Sequence, residues 1–257
     1  MALAWAAMGL YSIASKKAWL FAVAVSLLIV SHNSLAVLVL VFYVLYITIL
    51  GQWRDYWLMF LLGIGMVTFF WFPALYERKY VLFDAVQVAN PAAYFITGPR
   101  VALLGFSGIV AACIAIFIRK PPMREKTFFV YLFIFTLFVV LPTGAFLWRS
   151  NFLAHIFQYP FRFLSLNVVI GCWLVGYVLH YLRMFFRVPF IVLCIAFGAW
   201  STVLALKTVQ YINLPEGYYT TNEATTTIQN EYMPRWVSQL PTQRAYQKLI
   251  FYQGAGT

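Results

Sequence analysis

Charge is what this sequence has least of. Only 10% of its 257 residues are Asp, Glu, Lys or Arg, against about 25% in a soluble domain. Acidic residues are scarcer still, with 7 Asp and Glu against 18 Lys and Arg. So few charges do not clothe a soluble surface, while 63% of the residues are hydrophobic and the mean hydropathy is +0.82. The expected fold class is therefore an all-α integral membrane protein. Cysteine is also rare. Cys113, Cys172 and Cys194 lie inside apolar runs without a CxxC pair, so they read as small core hydrophobes rather than disulfides or ligands. There is no Walker A motif, no GxGxxG after a strand, no GxSxG and no intramembrane run of arginines. ATP-driven pumping, dinucleotide chemistry, serine hydrolysis and voltage sensing are disfavoured accordingly. No HxxxH or Cys/His cluster asks for zinc, and no cofactor is implied.

What is present is apolar length. Tryptophan, tyrosine and phenylalanine reach 20% of the chain, which suits lipid-facing helices with aromatic belts. A helical span needs about 20 mostly apolar residues. The run from Trp19 to Leu50 is too long for one span and is broken by "SHNS" at 31–34, so it reads as two helices, the first short. Further spans are expected over Trp57–Phe72, Val101–Ile118, Thr127–Trp148, Phe163–Leu182 and Val188–Leu206, giving about seven.

The net charge of +11 would point to nucleic acid in a soluble protein, but here the cations sit between apolar runs. Membrane topology and anionic lipid account for them, and no basic-aromatic module supports a nucleic-acid partner. "GQWRDYW" (51–57), "RKPPMREK" (119–126) and "RMFFR" (183–187) are short and basic, which the positive-inside rule places in the cytoplasm together with Lys16 and Lys17. "SHNS", the loop from Pro73 to Arg100, the loop from Arg149 to Arg162 and the tail after Lys207 then face outward. The expected organisation is a multi-spanning domain over 1–206 and a polar, Thr- and Tyr-rich extracytoplasmic tail over 207–257. "MALAWAAMGLYSIAS" resembles part of an earlier helix and the chain stops abruptly at "FYQGAGT", so a fragment of a longer protein is expected. Lys16 and Lys17 follow the first apolar stretch, the reverse of a secretory signal.

Four polar stretches are candidates for chemistry, each with a plainer reading. His32 and Asn33 either cap helix ends or touch a phosphate or sugar in an outward cavity. Glu77, Arg78, Lys79 and Asp84 are either solvated loop charges or a juxtamembrane site in which cations hold an anionic head group and a carboxylate acts as base. Glu231 and Tyr232, before Pro234, Arg235 and Trp236, make either a turn against the membrane surface or the mouth of the same cavity. Arg162, after Gln158, Tyr159, Pro160 and Phe161, is either a snorkelling anchor or, through its planar fork, a phosphate clamp. His180 near the far end of its span reads as a helix-end contact.

Taken in order, "SHNSLAVLVLVFYVLY", "FFWFPALYERKYV", "FQYPFRFLSL" and "NEYMPRW" resemble motifs of large bacterial membrane proteins labelled "6-pyruvoyl-tetrahydropterin synthase-related", which themselves resemble GT-C glycosyltransferases. The likeness runs from about Lys17 to about Val237. Tyr159 and Phe161 stand where Phe and Trp are commoner, and Met233 where Leu is. The resemblance implies a bacterial inner-membrane enzyme with an outward cavity. It would use a polyprenyl-phosphate sugar donor, with Glu231, Asp84 or Glu77 as candidate base, and the sequence itself demands no metal. Such enzymes usually carry an acidic catalytic residue in the first outer loop, which here is only "SHNS". The competing expectations are a transporter or flippase for a lipid-linked saccharide, marked by broken helices and an inverted repeat, and a non-catalytic assembly protein.

Overall fold

The computed structural model describes residues 1–82, 91–149, 151–207, 213 and 234–236. Among them the chain is all-α, with only an isolated antiparallel bridge between Val81 and Pro234. The α-helices are α1 (Ala2–Ala14), α2 (Ala18–Ser31), α3 (Asn33–Leu50), α4 (Trp53–Met66), α5 (Thr68–Glu77), α6 (Phe106–Phe117), α7 (Met123–Val140), α8 (Ala145–Trp148), α9 (Asn151–Phe157), α10 (Phe163–Tyr181) and α11 (Met184–Leu206). Two compact units result: Met1–Pro73 with Val88–Val209, and Ala74–Gln87 with Gln210–Thr257.

Among the described residues three helices are long and apolar enough to cross a membrane, and up to six spans result if each bent pair counts as one. A helix satisfies all its backbone hydrogen bonds internally, which is why apolar chain of this kind folds as helix in lipid. At 1.5 Å per residue, α2 reaches only about 21 Å, short of the roughly 30 Å hydrocarbon layer.

Several expected spans are reshaped. Trp57–Phe72 is two helices, α4 and α5, bent by 63°, and α5 runs on through Pro73 to Glu77. Val101–Ile118 opens as a 3₁₀ turn over Gly98–Leu104 and bends by 54° into α6. The hinge there is Gly105, whose φ of 77° is left-handed and suits glycine. Thr127–Trp148 ends as a straight helix at Val140 and turns by 85°. The break falls at Pro142–Gly144, where a Cβ on Gly144 would lie 2.4 Å from the Phe138 carbonyl oxygen. α11 begins at Met184 and passes through Pro189, so "RMFFR" is mostly helix rather than loop.

The core of the first unit is aromatic. Phe21 of α2 meets Tyr43 at 5.2 Å and Tyr56 at 5.3 Å between ring centres, both edge-on. Both phenols are also satisfied, Tyr43 donating to Ala6 O at 2.7 Å and Tyr56 to Ser12 O at 3.2 Å. α2 and α4 approach closely where Ser26 donates to Gly63 O at 2.8 Å; a Cβ on Gly63 would lie 2.8 Å from Ala22 O. Close approach through small residues is how helices associate where lipid removes the hydrophobic drive. Phe42 and Tyr46 of α3 pack on Phe128 and Phe129 of α7, and Phe129 stacks on Trp173 of α10 at 4.0 Å. Within this packing Thr136 and Asn167 hydrogen-bond to one another.

The cysteine expectation needs correction. Cys194 is half-buried, but Cys113 and Cys172 are exposed on their helices. A thiol is as compatible with lipid as with a packed core, so hydropathy did not distinguish them.

Candidate functional site

The break at "SHNS" is a single residue. His32 takes an extended backbone, φ −167° and ψ 104°, and its Nδ1 accepts from the Leu35 N–H at 3.3 Å. This is the plainer of the two readings: the imidazole satisfies one of the orphan donors at the start of α3. Asn33 is exposed in that first turn. The residue that reaches across the molecule is Ser34, whose Oγ accepts from a terminal nitrogen of Arg162 at 2.6 Å.

Arg162 is set by the chain before it. α9 ends at Phe157, and the next residue, Gln158, lies in the left-handed region at φ 58°, a conformation that costs a residue with a Cβ about 1–2 kcal/mol. Its amide nitrogen still bonds to Ala154 O at 2.9 Å, closing the helix. Pro160 then starts a 3₁₀ turn, Pro160–Arg162, that leads into α10, with φ already set for helix. The reversal returns the Gln158 side chain to Arg162, and the second terminal nitrogen donates to Gln158 Oε1 at 3.0 Å. The guanidinium carbon lies 5.2 Å from the Tyr159 ring centre. Ser34 and Gln158 thus occupy two of the five N–H donors in the fork, and the half-buried side chain turns to protein polar groups.

An aromatic lip adjoins it. Tyr159 and Phe161 stack at 5.2 Å, and Tyr94, from the 3₁₀ turn Pro91–Tyr94, meets Tyr159 edge-on at 4.7 Å. That segment is anchored where Ile96 N–H donates to Val140 O at 2.9 Å. Ser34 and Tyr94 escaped the sequence reading. Ser34 had a signal, being the last polar residue of the quartet that breaks the apolar run. Tyr94 had none beyond its own aromaticity.

The second unit gathers another pair of stretches. Glu77 ends α5 and is exposed. Lys79 Nζ lies 4.0 Å from the Tyr76 ring centre and 4.8 Å from that of Tyr80. The Arg235 N–H donates to Tyr80 O at 2.9 Å, and its Nε donates to Val81 O at 3.0 Å. Arg78 is half-buried. "ERKYV" and "PRW" therefore meet through the Val81–Pro234 bridge, and "SHNS" and "FQYPFR" meet through Arg162 and Ser34. Asp84, Glu231 and Tyr232 lie outside the described residues.

At the other end of α10, the His180 backbone carbonyl accepts from Arg187 at 3.2 Å, and its imidazole lies edge-on to the Tyr181 ring at 4.6 Å. Among the described residues no group of three or more His, Cys, Asp or Glu is placed to hold a metal ion. No family model, curated protein or solved structure matches this chain.

Proposed function

We propose that the chain is part of a GT-C-like membrane glycosyltransferase that transfers a sugar from a polyprenyl-phosphate donor at the outer face of the bacterial inner membrane. The observation that carries this reading is the Arg162 fork, oriented by Ser34 and Gln158 over Tyr159 at the start of a membrane-length helix. A phosphate at the membrane boundary is bound best by a pre-oriented guanidinium, which presents paired donors where lysine offers a point charge. The lip of Tyr94, Tyr159 and Phe161 suits the first isoprene units below the phosphate. A departing lipid phosphate gains negative charge, and a cation fixed beforehand stabilises it without reorganising. The acceptor hydroxyl needs a carboxylate base, for which Glu77, Asp84 and Glu231 are the candidates by residue type, with Arg78, Lys79 and Tyr232 near them in the sequence. In this reading α2 is the short member of seven spans, the basic segments face the cytoplasm and the tail from 207 lies outside.

The test is Arg162→Lys in the full-length protein, with transfer from a labelled polyprenyl-phosphate sugar as the readout. Transfer is expected to fall by about a hundredfold, as when one transition-state donor is removed, with insertion and expression intact. Full activity would reduce Arg162 to an anchor.

A second reading, a transporter or flippase for the same lipid-linked saccharide, is favoured by one observation, the three helix pairs bent by 54° to 85°. Broken helices are a habit of transporters. In sealed vesicles a transporter moves the labelled lipid across the bilayer with its sugar still attached.

A further inference from the structure

A different surface offers a ligand site of its own. α3 and α7 leave between them a groove of about 480 Å³, lined by Ile49, Met123, Arg124, Thr127, Phe128 and Tyr131. Arg124, Thr127, Phe128 and Tyr131 stand at i, i+3, i+4 and i+7 of α7, which places them on one stripe of the helix. The stripe is graded, with a guanidinium, then a hydroxyl, then two aromatic rings. From Arg124 to Tyr131 it descends about 10 Å at 1.5 Å per residue, well into one leaflet of a bilayer about 30 Å thick.

The charges around the groove leave Arg124 as its ionic group. Glu125, next in sequence, accepts from Tyr46 of α3 at 2.7 Å. Lys126 is buried, and its Nζ donates to Ile118 O at 2.9 Å. Arg124 is exposed and makes no side-chain hydrogen bond or ion pair among the described residues. The backbone of the preceding segment is pinned, Lys120 O accepting from Tyr177 at 2.7 Å and Pro121 O from Tyr181. The cation is therefore presented by a fixed frame. Phe128 is held from behind by rings of Phe42 and Tyr46, 6.0 and 5.9 Å away.

We propose that this groove binds one anionic diacyl phospholipid, its phosphate on Arg124 and Thr127 and one acyl chain along Ile49, Phe128 and Tyr131. Charge complementarity selects this occupant. A neutral lipid leaves the guanidinium without a counterion, whereas an anionic head group paired there adds about 1 kcal/mol per cation near a surface. The proposal rests on the membrane reading and not on sugar transfer, so it is tested without a donor.

The experiment is native mass spectrometry of the full chain in nonionic detergent, titrated with dioleoyl phosphatidylglycerol or dioleoyl phosphatidylcholine. Phosphatidylglycerol should be retained about fivefold more strongly. Arg124→Gln should abolish that preference, while Arg119→Gln, which removes an equal exposed charge outside the groove, should leave it unchanged. Ile49→Trp, which fills the groove with the cation intact, should weaken retention of both lipids. Equal losses from Arg124→Gln and Arg119→Gln would reduce the effect to general surface charge and overturn the site. Equal retention of the two lipids by the unaltered chain would do the same. Displacement of the lipid by millimolar inorganic phosphate would make it an anion site with no lipid component. Both arginines are exposed, so the deciding pair of variants leaves the core untouched.

Discussion

α3 and α11 are near twins in hydropathy and opposites in placement. Their mean hydropathies are 2.3 and 2.1, yet 44% of the α3 window is buried against 6% of the α11 window. Hydropathy measures preference for lipid over water, and both helices satisfy it. Lipid tails are as apolar as leucine, so burial against a neighbour brings little further hydrophobic gain. What draws α3 inward is shape and directed contact. Phe42, Tyr43 and Tyr46 are buried, with Tyr43 bonded to Ala6 O and Tyr46 to Glu125. α11 turns Ile191, Val192, Ile195 and Val203 outward and touches its neighbours along one side, where Phe197 and Trp200 meet Phe106 at 5.9 and 5.2 Å and Cys194 O accepts from Ser107 at 3.1 Å.

The comparison is sharpened most by truncating a ring. Phe42→Ala should cost about 3 kcal/mol, the low end for a buried phenylalanine because lipid, not water, is the reference. Unfolding in dodecyl sulfate followed by tryptophan fluorescence measures it, and a loss near zero would erase the distinction between the two helices.

Glycines give the next contrast. Gly63→Ala must push α2 and α4 apart, since its Cβ would meet backbone at 2.8 Å, and a cost of about 2 kcal/mol is expected in the same assay. On α11, a Cβ at Gly198 meets nothing within 4 Å. Gly198→Ala should therefore raise stability by up to about 0.8 kcal/mol, through helix propensity alone. Destabilisation there would mean that something packs on the Gly198 face of α11. The smallest effect belongs to Ile195→Ala, 66% exposed in the native residue, which should stay within about 0.5 kcal/mol.

The candidate site was legible in parts. The proline before Arg162 and the aromatics around it marked a rigid turn, and the polar quartet at 31–34 marked a helix break. Their union was not legible, because Ser34 and Arg162 are 128 residues apart and no local period encodes such a pairing. The left-handed Gln158 that aims an amide at the guanidinium was equally hidden, since glutamine has no special leaning to that conformation. One helix limit slipped at a proline: the expected span stopped at Phe72, while α5 runs through Pro73 to Glu77. Pro189 lies inside α11 as it lay inside the expected span, whereas at Pro142 the neighbouring Gly144 lets the backbone close on itself and the turn follows.

Scarcity of charge and length of apolar run decided by themselves that this chain is helical and suited to a membrane, because only internally bonded backbone is stable in lipid. The break between α2 and α3 was also written locally, in the polar quartet at 31–34, whereas the bend at Gly105 inside the expected span Val101–Ile118 was not. Which helices are enclosed and which stay exposed was decided by tertiary structure alone. A helix that is apolar on every side carries no amphipathic stripe to announce its inner face, so ring stacking, small-residue crossings and a few long-range hydrogen bonds made the choice.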